Sequence, residues 1–209
     1  MRVSHCVRVF GTNLAKQILE RQPIICLQRF TLEGYCLDNE IDIIEYSVAK
    51  SNKQFILSTV LWDSFDDAIR SILHSNDKWQ EVKFFDDNGG VSNEINMVPN
   101  DAGGIYIFVA RPGILPCFHN YFMYIGKSRN LRRRLRDYYS EKKNINKRPL
   151  IRQMLNGWGK YLHVLYLPLY GFENTVIEKI EAELINKILP PFNDQIPDKT
   201  IRDVVKMFS

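Results

Sequence analysis

The sequence predicts an α+β chain in two parts. Residues 98–209 read as a small antiparallel sheet flanked by helices in the order ββααβα, preceded by a smaller α+β N-terminal domain over residues 1–97. Three observations carry this reading. Ile105–Ala110 and Tyr121–Ile125 are β-rich runs joined by a loop containing Pro112, Gly113 and Pro116, the pattern of a hairpin. Two helical segments follow. Asn130 can cap the first, whose Leu131, Leu135, Tyr138 and Tyr139 share a side, and Pro149 can open the second, which ends at Gly157. Lys160–Leu167 is again β-rich, and a last helix starts at Thr175, whose side chain can form a capping box with Glu178, and stops before Pro190-Pro191.

The N-terminal part alternates short elements without a repeat. Val3–Phe10 reads as a strand, Leu14–Glu20 as a helix capped by Thr12 or Asn13, and Ile24–Leu32, Ile41–Val48 and Phe55–Leu61 as β-rich runs. Ser64 then starts a helix, with Asp66 and Asp67 suited to its N-terminus and Phe65, Ala68, Ile69, Ile72 and Leu73 on one apolar face. Trp79–Phe85 resembles another strand. Asp86-Asp87-Asn88-Gly89-Gly90 signals a turn, and Val98-Pro99-Asn100-Asp101 punctuates the chain again, which places the domain boundary near residue 97.

Composition limits the function classes. With 209 residues, 45% of them hydrophobic, the chain can bury a core in one domain or two small ones. The longest apolar runs, such as Phe55–Trp62 and Tyr161–Leu169, are too short to span a membrane, and the N-terminus lacks the apolar core of a signal peptide. A cytoplasmic protein with no membrane association is expected. Cys6, Cys26, Cys36 and Cys117 have no paired spacing and read as small core residues. His5, His74, His119 and His163 are scattered, with no two spaced to share a helix face as metal ligands.

Charge separates the two halves. Residues 1–100 carry 10 Lys/Arg against 14 Asp/Glu, a net −4, whereas residues 101–209 carry 18 against 10, a net +8. Lys127, Arg129, Arg132, Arg133, Arg134, Arg136, Lys142, Lys143, Lys147, Arg148 and Arg152 crowd one stretch whose only acids are Asp137 and Glu141. A polyanion is the natural partner of such a stretch; the alternative is a solvated helix face.

Two spacings carry chemistry. In the last helix Ile177, Ile180, Leu184, Ile185 and Ile188 form the apolar stripe, and Glu181 falls inside it. A lone carboxylate there needs a cation, a metal or a strong donor, unless it snorkels from the stripe edge or pairs with an arginine. Glu178 and Glu183 lie off the stripe. In the basic helix Arg134 and Tyr138 are four residues apart and can address one phosphate together, while Arg132, Arg133 and Arg136 point elsewhere, as general contacts to a nucleic-acid backbone would.

Gly104-Ile105-Tyr106 and Tyr124-Ile125-Gly126 resemble the two signature tripeptides of the GIY-YIG endonuclease superfamily. The run from Lys127 to Tyr139 is similar to the nuclease domain of the bacterial excision-repair endonuclease. The resemblance covers residues 104–193 and places the family arginine on Arg134, the following tyrosine on Tyr138, the metal-binding glutamate on Glu181 and the late asparagine on Asn193. The connection between Tyr106 and Tyr124 is longer than usual for the family, as a local elaboration or a tolerated surface insertion.

The resemblance implies a division of labour. Tyr106 is the favoured general base, with Tyr124 and Lys127 near it, an ammonium there being expected to lower a tyrosine pKa; Tyr138 assists in positioning. Arg134 clamps the scissile phosphate, and Glu181 holds one divalent ion, Mg²⁺ or Mn²⁺, that completes its shell with water and substrate oxygen. Arg129, Arg132, Arg133, Arg136, Lys142, Lys143, Lys147, Arg148 and Asn193 are the expected DNA contacts, although Asn193 can instead fix the turn after Pro191. The small module without repair appendages suggests a metal-dependent DNA endonuclease of restriction or defence type. The acidic N-terminal half suggests a homodimer contact or a protein partner that supplies the target, and a DNA-repair or structure-specific nuclease is a further alternative.

Overall fold

A computed structural model of the chain describes residues 58–74, 78–113, 120–143 and 148–208. The elements expected before Phe55, together with all four cysteines, His5 and His119, lie outside the described residues. The chain divides into two compact units, Met1–Lys53 and Gln54–Ser209, and the second holds everything described below.

Four strands, β1 (Gln80–Lys83), β2 (Gly104–Ala110), β3 (Tyr121–Ser128) and β4 (Leu162–Pro168), form one antiparallel sheet in the order β1-β4-β2-β3. Six α-helices are described: α1 (Thr59–Asp63), α2 (Asp67–Leu73), α3 (Leu131–Lys143), α4 (Pro149–Gly157), α5 (Asn174–Ile188) and α6 (Lys199–Phe208). From β2 to α5 the order is ββααβα, as the sequence predicts. None of the described helices is long and apolar enough to cross a membrane.

Strand β2 explains the layering. It is central, and every one of its residues is buried, so its alternating side chains feed two cores. Tyr106, Phe108 and Ala110 pack with Leu131, Leu135 and Tyr138 of α3 and with Ile151, Met154 and Leu155 of α4. Ile105, Ile107 and Val109 pack with Ile177, Ile180, Leu184 and Ile185 of α5, against which Phe65, Ile69, Ile72 and Leu73 also lean. The apolar stripe read on the last helix is thus the face it turns to the sheet.

Four boundaries differ from the sequence expectation. Residues 59–61, expected to be β-rich, start α1, because the Ser58 side chain accepts a hydrogen bond from the Leu61 amide at 3.4 Å and caps it. Asp66 rather than Ser64 caps α2, accepting from the Ile69 amide at 3.0 Å. The capping box of Thr175 and Glu178 is not formed; α5 starts at Asn174, and Glu178 accepts from the Asn174 side-chain amide and pairs with Lys127 instead. A 3₁₀ turn at Gly159–Tyr161 delays β4 to Leu162. The compact unit also reaches upstream of residue 97, since β1 pairs with β4 and Ile95 and Val98 join the core beneath α3.

The edge strand β3 is not left open. The Phe192 amide donates to the Met123 carbonyl at 3.0 Å, the Ile125 amide donates to Asn193 Oδ1 at 2.9 Å, and Asn193 Nδ2 donates to the Ile125 carbonyl at 2.8 Å. The segment after α5 thereby stands in for a fifth strand and satisfies backbone groups that would otherwise face outward.

Candidate active site

The two glycines that begin and end the pair of tripeptides are explained by close approach. Tyr106 and Gly126 are cross-strand partners, and a Cβ on Gly126 would lie against the Tyr106 hydroxyl and only 2.6 Å from its Cζ. The phenol therefore lies flat across Gly126. A Cβ on Gly104 would press into the Leu167 carbonyl of β4, so glycine lets β2 and β4 pair at that point.

Tyr106 is directed toward α3, where its hydroxyl oxygen is 2.8 Å from that of Tyr138. Both side chains are almost wholly enclosed, at 1% and 0% exposure. Tyr124, on the same face of the sheet, is half-buried, and its ring lies 6.0 Å from that of Tyr138 and 6.4 Å from that of Tyr106. Arg134 packs over the Tyr138 ring at 4.4 Å, in keeping with its position one turn earlier on α3. The expected Tyr106, Tyr124, Arg134 and Tyr138 are brought together.

Two residues complete this cluster that sequence reasoning placed elsewhere or passed over. Arg148 Nη2 donates to the Tyr124 hydroxyl at 2.8 Å and to the Tyr138 hydroxyl at 3.4 Å. Glu141 accepts from Arg134 Nη1 at 3.1 Å and from Arg148 Nη1 at 3.3 Å, so one carboxylate holds both guanidinium groups. Its signal was present in the sequence: Arg134, Tyr138 and Glu141 follow at spacings of four and three, on one face of α3.

Lys127 and Glu181 meet on the opposite face of β3. Lys127 pairs with Ile105 in register, so alternation directs it toward α5, away from Tyr106. Its ammonium lies 2.7 Å from Glu178 Oε1 and 3.7 Å from Glu181 Oε2. Burial pushes the Glu181 carboxyl above the ordinary carboxylate value, against the opposing pull of Lys127. The expectation that Lys127 lowers a tyrosine pKa is therefore corrected. Burial, reinforced by Tyr124, raises the Tyr106 phenol despite the opposing effect of Arg134. Burial likewise raises Tyr124, helped by Tyr138 and to a smaller degree by Glu181, whose charge is felt across the strand.

The expected DNA contacts separate into different groups. Arg129 and Arg133 are exposed. Arg132 Nε donates to the Val98 carbonyl at 2.6 Å, and Arg136 Nη2 donates to Asn96 Oδ1 at 2.5 Å, so both tie α3 to the 3₁₀ turn at Asn93–Met97. Lys142 lies over the Phe85 ring at 4.3 Å. Arg148 belongs to the tyrosine cluster, and the Asn193 amide is engaged with β3. Lys147 and the Lys143 side chain lie outside the described residues.

The half-buried Glu181 carboxylate has the Lys127 ammonium 3.7 Å away, and an oxygen ligand of this kind suits a divalent cation. Among the described residues no three His, Cys, Asp or Glu side chains gather as a metal cage; an ion bound through Glu181 would complete its shell with water and substrate oxygen.

Searches of curated proteins and of solved structures gave no match. A protein-family model does match: residues 102–193 correspond to the GIY-YIG catalytic domain, the span that contains Tyr106, Tyr124, Lys127, Arg134, Tyr138, Glu181 and Asn193. Nucleases of this family generally depend on a divalent metal. By this match the segment from 102 to 193 belongs to the GIY-YIG family, and the chain carries an endonuclease domain of the phosphodiester-hydrolase type.

Proposed function

We propose that the protein is a metal-dependent endodeoxyribonuclease of restriction or defence type. The observation that carries the proposal is the wrapping of one edge strand by two complementary groups: Arg134 and the phenols of Tyr106, Tyr124 and Tyr138 on one face, and Glu181 with Lys127 on the other. Hydrolysis of a phosphodiester needs an oriented phosphate, a base for the attacking water and charge to offset the developing phosphorane.

Arg134 is the phosphate clamp, its planar guanidinium able to hold two oxygens. Tyr106, in its ionised form, accepts the proton of the attacking water and becomes the neutral phenol; its bond to Tyr138 fixes the ring, and Gly126 keeps it flat in the sheet. Lys127 opposes the effect of burial and helps keep Glu181 ionised. Glu181 is the residue that would hold a single Mg²⁺ or Mn²⁺, which supplies Lewis-acid neutralisation of phosphate charge when bound. Arg129 and Arg133, exposed at the start of α3, contact the DNA backbone.

The charge division supports a second reading, in which a protein partner bound through the acidic N-terminal half supplies the target; self-association through the same half would instead pair two active sites on a duplex. Incubation with supercoiled plasmid, single-stranded DNA and branched DNA, with and without Mg²⁺, separates these readings. Discrete fragments from plasmid support the restriction reading. Preference for the branched substrate supports a structure-specific repair enzyme, and cleavage that appears only with a second protein supports the partner-targeted reading. No cleavage of any nucleic acid under any condition refutes the nuclease proposal.

A further inference from the structure

Arg148 looks from its sequence context like one more backbone contact in a basic stretch, but it is half-buried and bonded to side chains of the tyrosine cluster. Nη2 reaches two phenol oxygens, at 2.8 Å on Tyr124 and 3.4 Å on Tyr138, while Nη1 reaches Glu141 at 3.3 Å. The guanidinium also lies 5.2 Å from the Tyr138 ring centre and 5.7 Å from that of Tyr124. Only 31% of the side chain is exposed.

The backbone gives an independent observation. Arg148 has φ 41° and ψ 72°, the left-handed region that a residue bearing a Cβ enters at a cost, and it immediately precedes Pro149, which restricts it further. It sits at the N-cap of α4 without making a side-chain cap bond, so the usual reason for a polar residue there is absent. Glycine or asparagine would fit this conformation more easily. A strained position held by a long cation whose two Nη groups reach Glu141, Tyr124 and Tyr138 is what a functional constraint produces.

We propose that Arg148 is a positioning residue of the nuclease site, forming with Arg134 a two-arginine clamp that Glu141 holds in register and that fixes the hydroxyls of Tyr124 and Tyr138. Glu141 occupies between the two guanidinium groups the kind of place an anionic phosphate oxygen takes, and so keeps both forks aligned in the free protein. The role rests on the nuclease reading, and it differs from backbone binding in what it costs to remove: turnover rather than salt-dependent affinity.

The test measures DNA binding in EDTA over a range of salt, and cleavage at saturating DNA with Mg²⁺. Arg148→Ala is expected to lower kcat by about 10- to 100-fold, the scale of a misaligned site, while the slope of log affinity against log salt stays at the wild-type value. Arg133→Ala gives the benchmark for a backbone contact, a slope reduced by about 0.9. Arg148→Lys should remain about tenfold or more below wild type, because one ammonium cannot span Glu141, Tyr124 and Tyr138 together. Glu141→Gln should also lower kcat, and the Arg148→Ala/Glu141→Gln pair should be no slower than Arg148→Ala alone.

Full kcat in Arg148→Lys, additive losses in the double variant, or an Arg148→Ala slope lowered by about 0.9 with kcat retained would each overturn the proposal. Should Arg148→Ala fail to fold, Arg148→Lys and Glu141→Gln decide it by the same readouts. Wild-type protein that binds DNA but never cuts it sinks the nuclease reading alone, since the salt slopes in EDTA still report whether Arg148 is held inside. Neither binding nor cutting overturns both.

Discussion

Replacing Asn193 with alanine removes two hydrogen bonds at once, at 2.9 and 2.8 Å, from the backbone of a partly buried edge strand. Each such bond contributes about 0.5–1.5 kcal/mol net, and an Ile125 amide left without an acceptor costs about 1–3 kcal/mol if water cannot reach it. A loss of about 2–4 kcal/mol follows. For a unit of about 150 residues, 1 kcal/mol corresponds to roughly 2–4 °C, so the melting temperature should fall by about 5–15 °C. The assay is calorimetric unfolding, with DNA affinity in EDTA measured below the transition. Asn193→Asp is the sharper variant: it keeps the acceptor for the Ile125 amide but sets a carboxylate oxygen against the Ile125 carbonyl, so its deficit should shrink as the carboxylate is protonated. An unchanged melting temperature together with a flatter salt dependence of DNA binding would refute the strand-covering role and restore Asn193 as a DNA contact.

Arg134→Ala should reduce turnover by about 100- to 1,000-fold, far more than Arg132→Ala or Arg136→Ala, whose partners are Val98 and Asn96; equal losses from the three would reduce α3 to a phosphate-binding surface. Because burial raises the Tyr106 phenol, only a small fraction is ionised at neutral pH, and the cleavage rate should climb with pH without a plateau up to the ordinary tyrosine value of 10.0. Tyr106→Phe should flatten that climb, and an unchanged pH profile would move the base to another group. His163 is held below its ordinary value of 6.5 by burial, with Arg111 adding to the effect and Glu81 opposing it. The folded state therefore binds that proton less readily than the unfolded chain, so His163 contributes stability above pH 6.5 that is lost as pH falls through the window just below it. Urea unfolding of His163→Gln should show a flatter pH dependence in that window, and a steeper one would reverse the sign assigned here.

Much of the site was legible because the strands alternate and the helices repeat. Tyr106 and Tyr124 share a face of the sheet, Arg134 and Tyr138 share a face of α3, and Glu181 is half-buried within a stripe whose Ile177, Ile180, Leu184 and Ile185 are all buried. What the sequence reading misjudged was the side of the sheet on which Lys127 falls. Lys127 follows directly after Tyr124-Ile125-Gly126, yet alternation sends it to the α5 face, where it meets Glu178 and Glu181 instead of a phenol. Apart from Arg134, the cations of the basic stretch read alike, because charge alone does not distinguish an exposed arginine such as Arg133 from Arg132, tied to a carbonyl, or Arg148, bonded to two tyrosines and a glutamate. One short helix, α1, was missed because a local cap decides it: Ser58 turns residues expected in a strand into helix, whereas α2 falls where its apolar face predicts.

Glu181→Gln, which keeps the side-chain volume and removes the charge, tests most directly whether Glu181 is the metal-holding carboxylate of a nuclease. Plasmid cleavage in Mg²⁺, DNA affinity in EDTA and melting temperature should be measured together on wild type and variant. The expected result is Mg²⁺-dependent cleavage by the wild type and none by the variant, with affinity and melting temperature close to those of the wild type. Mg²⁺-dependent cleavage retained by Glu181→Gln would contradict the assignment.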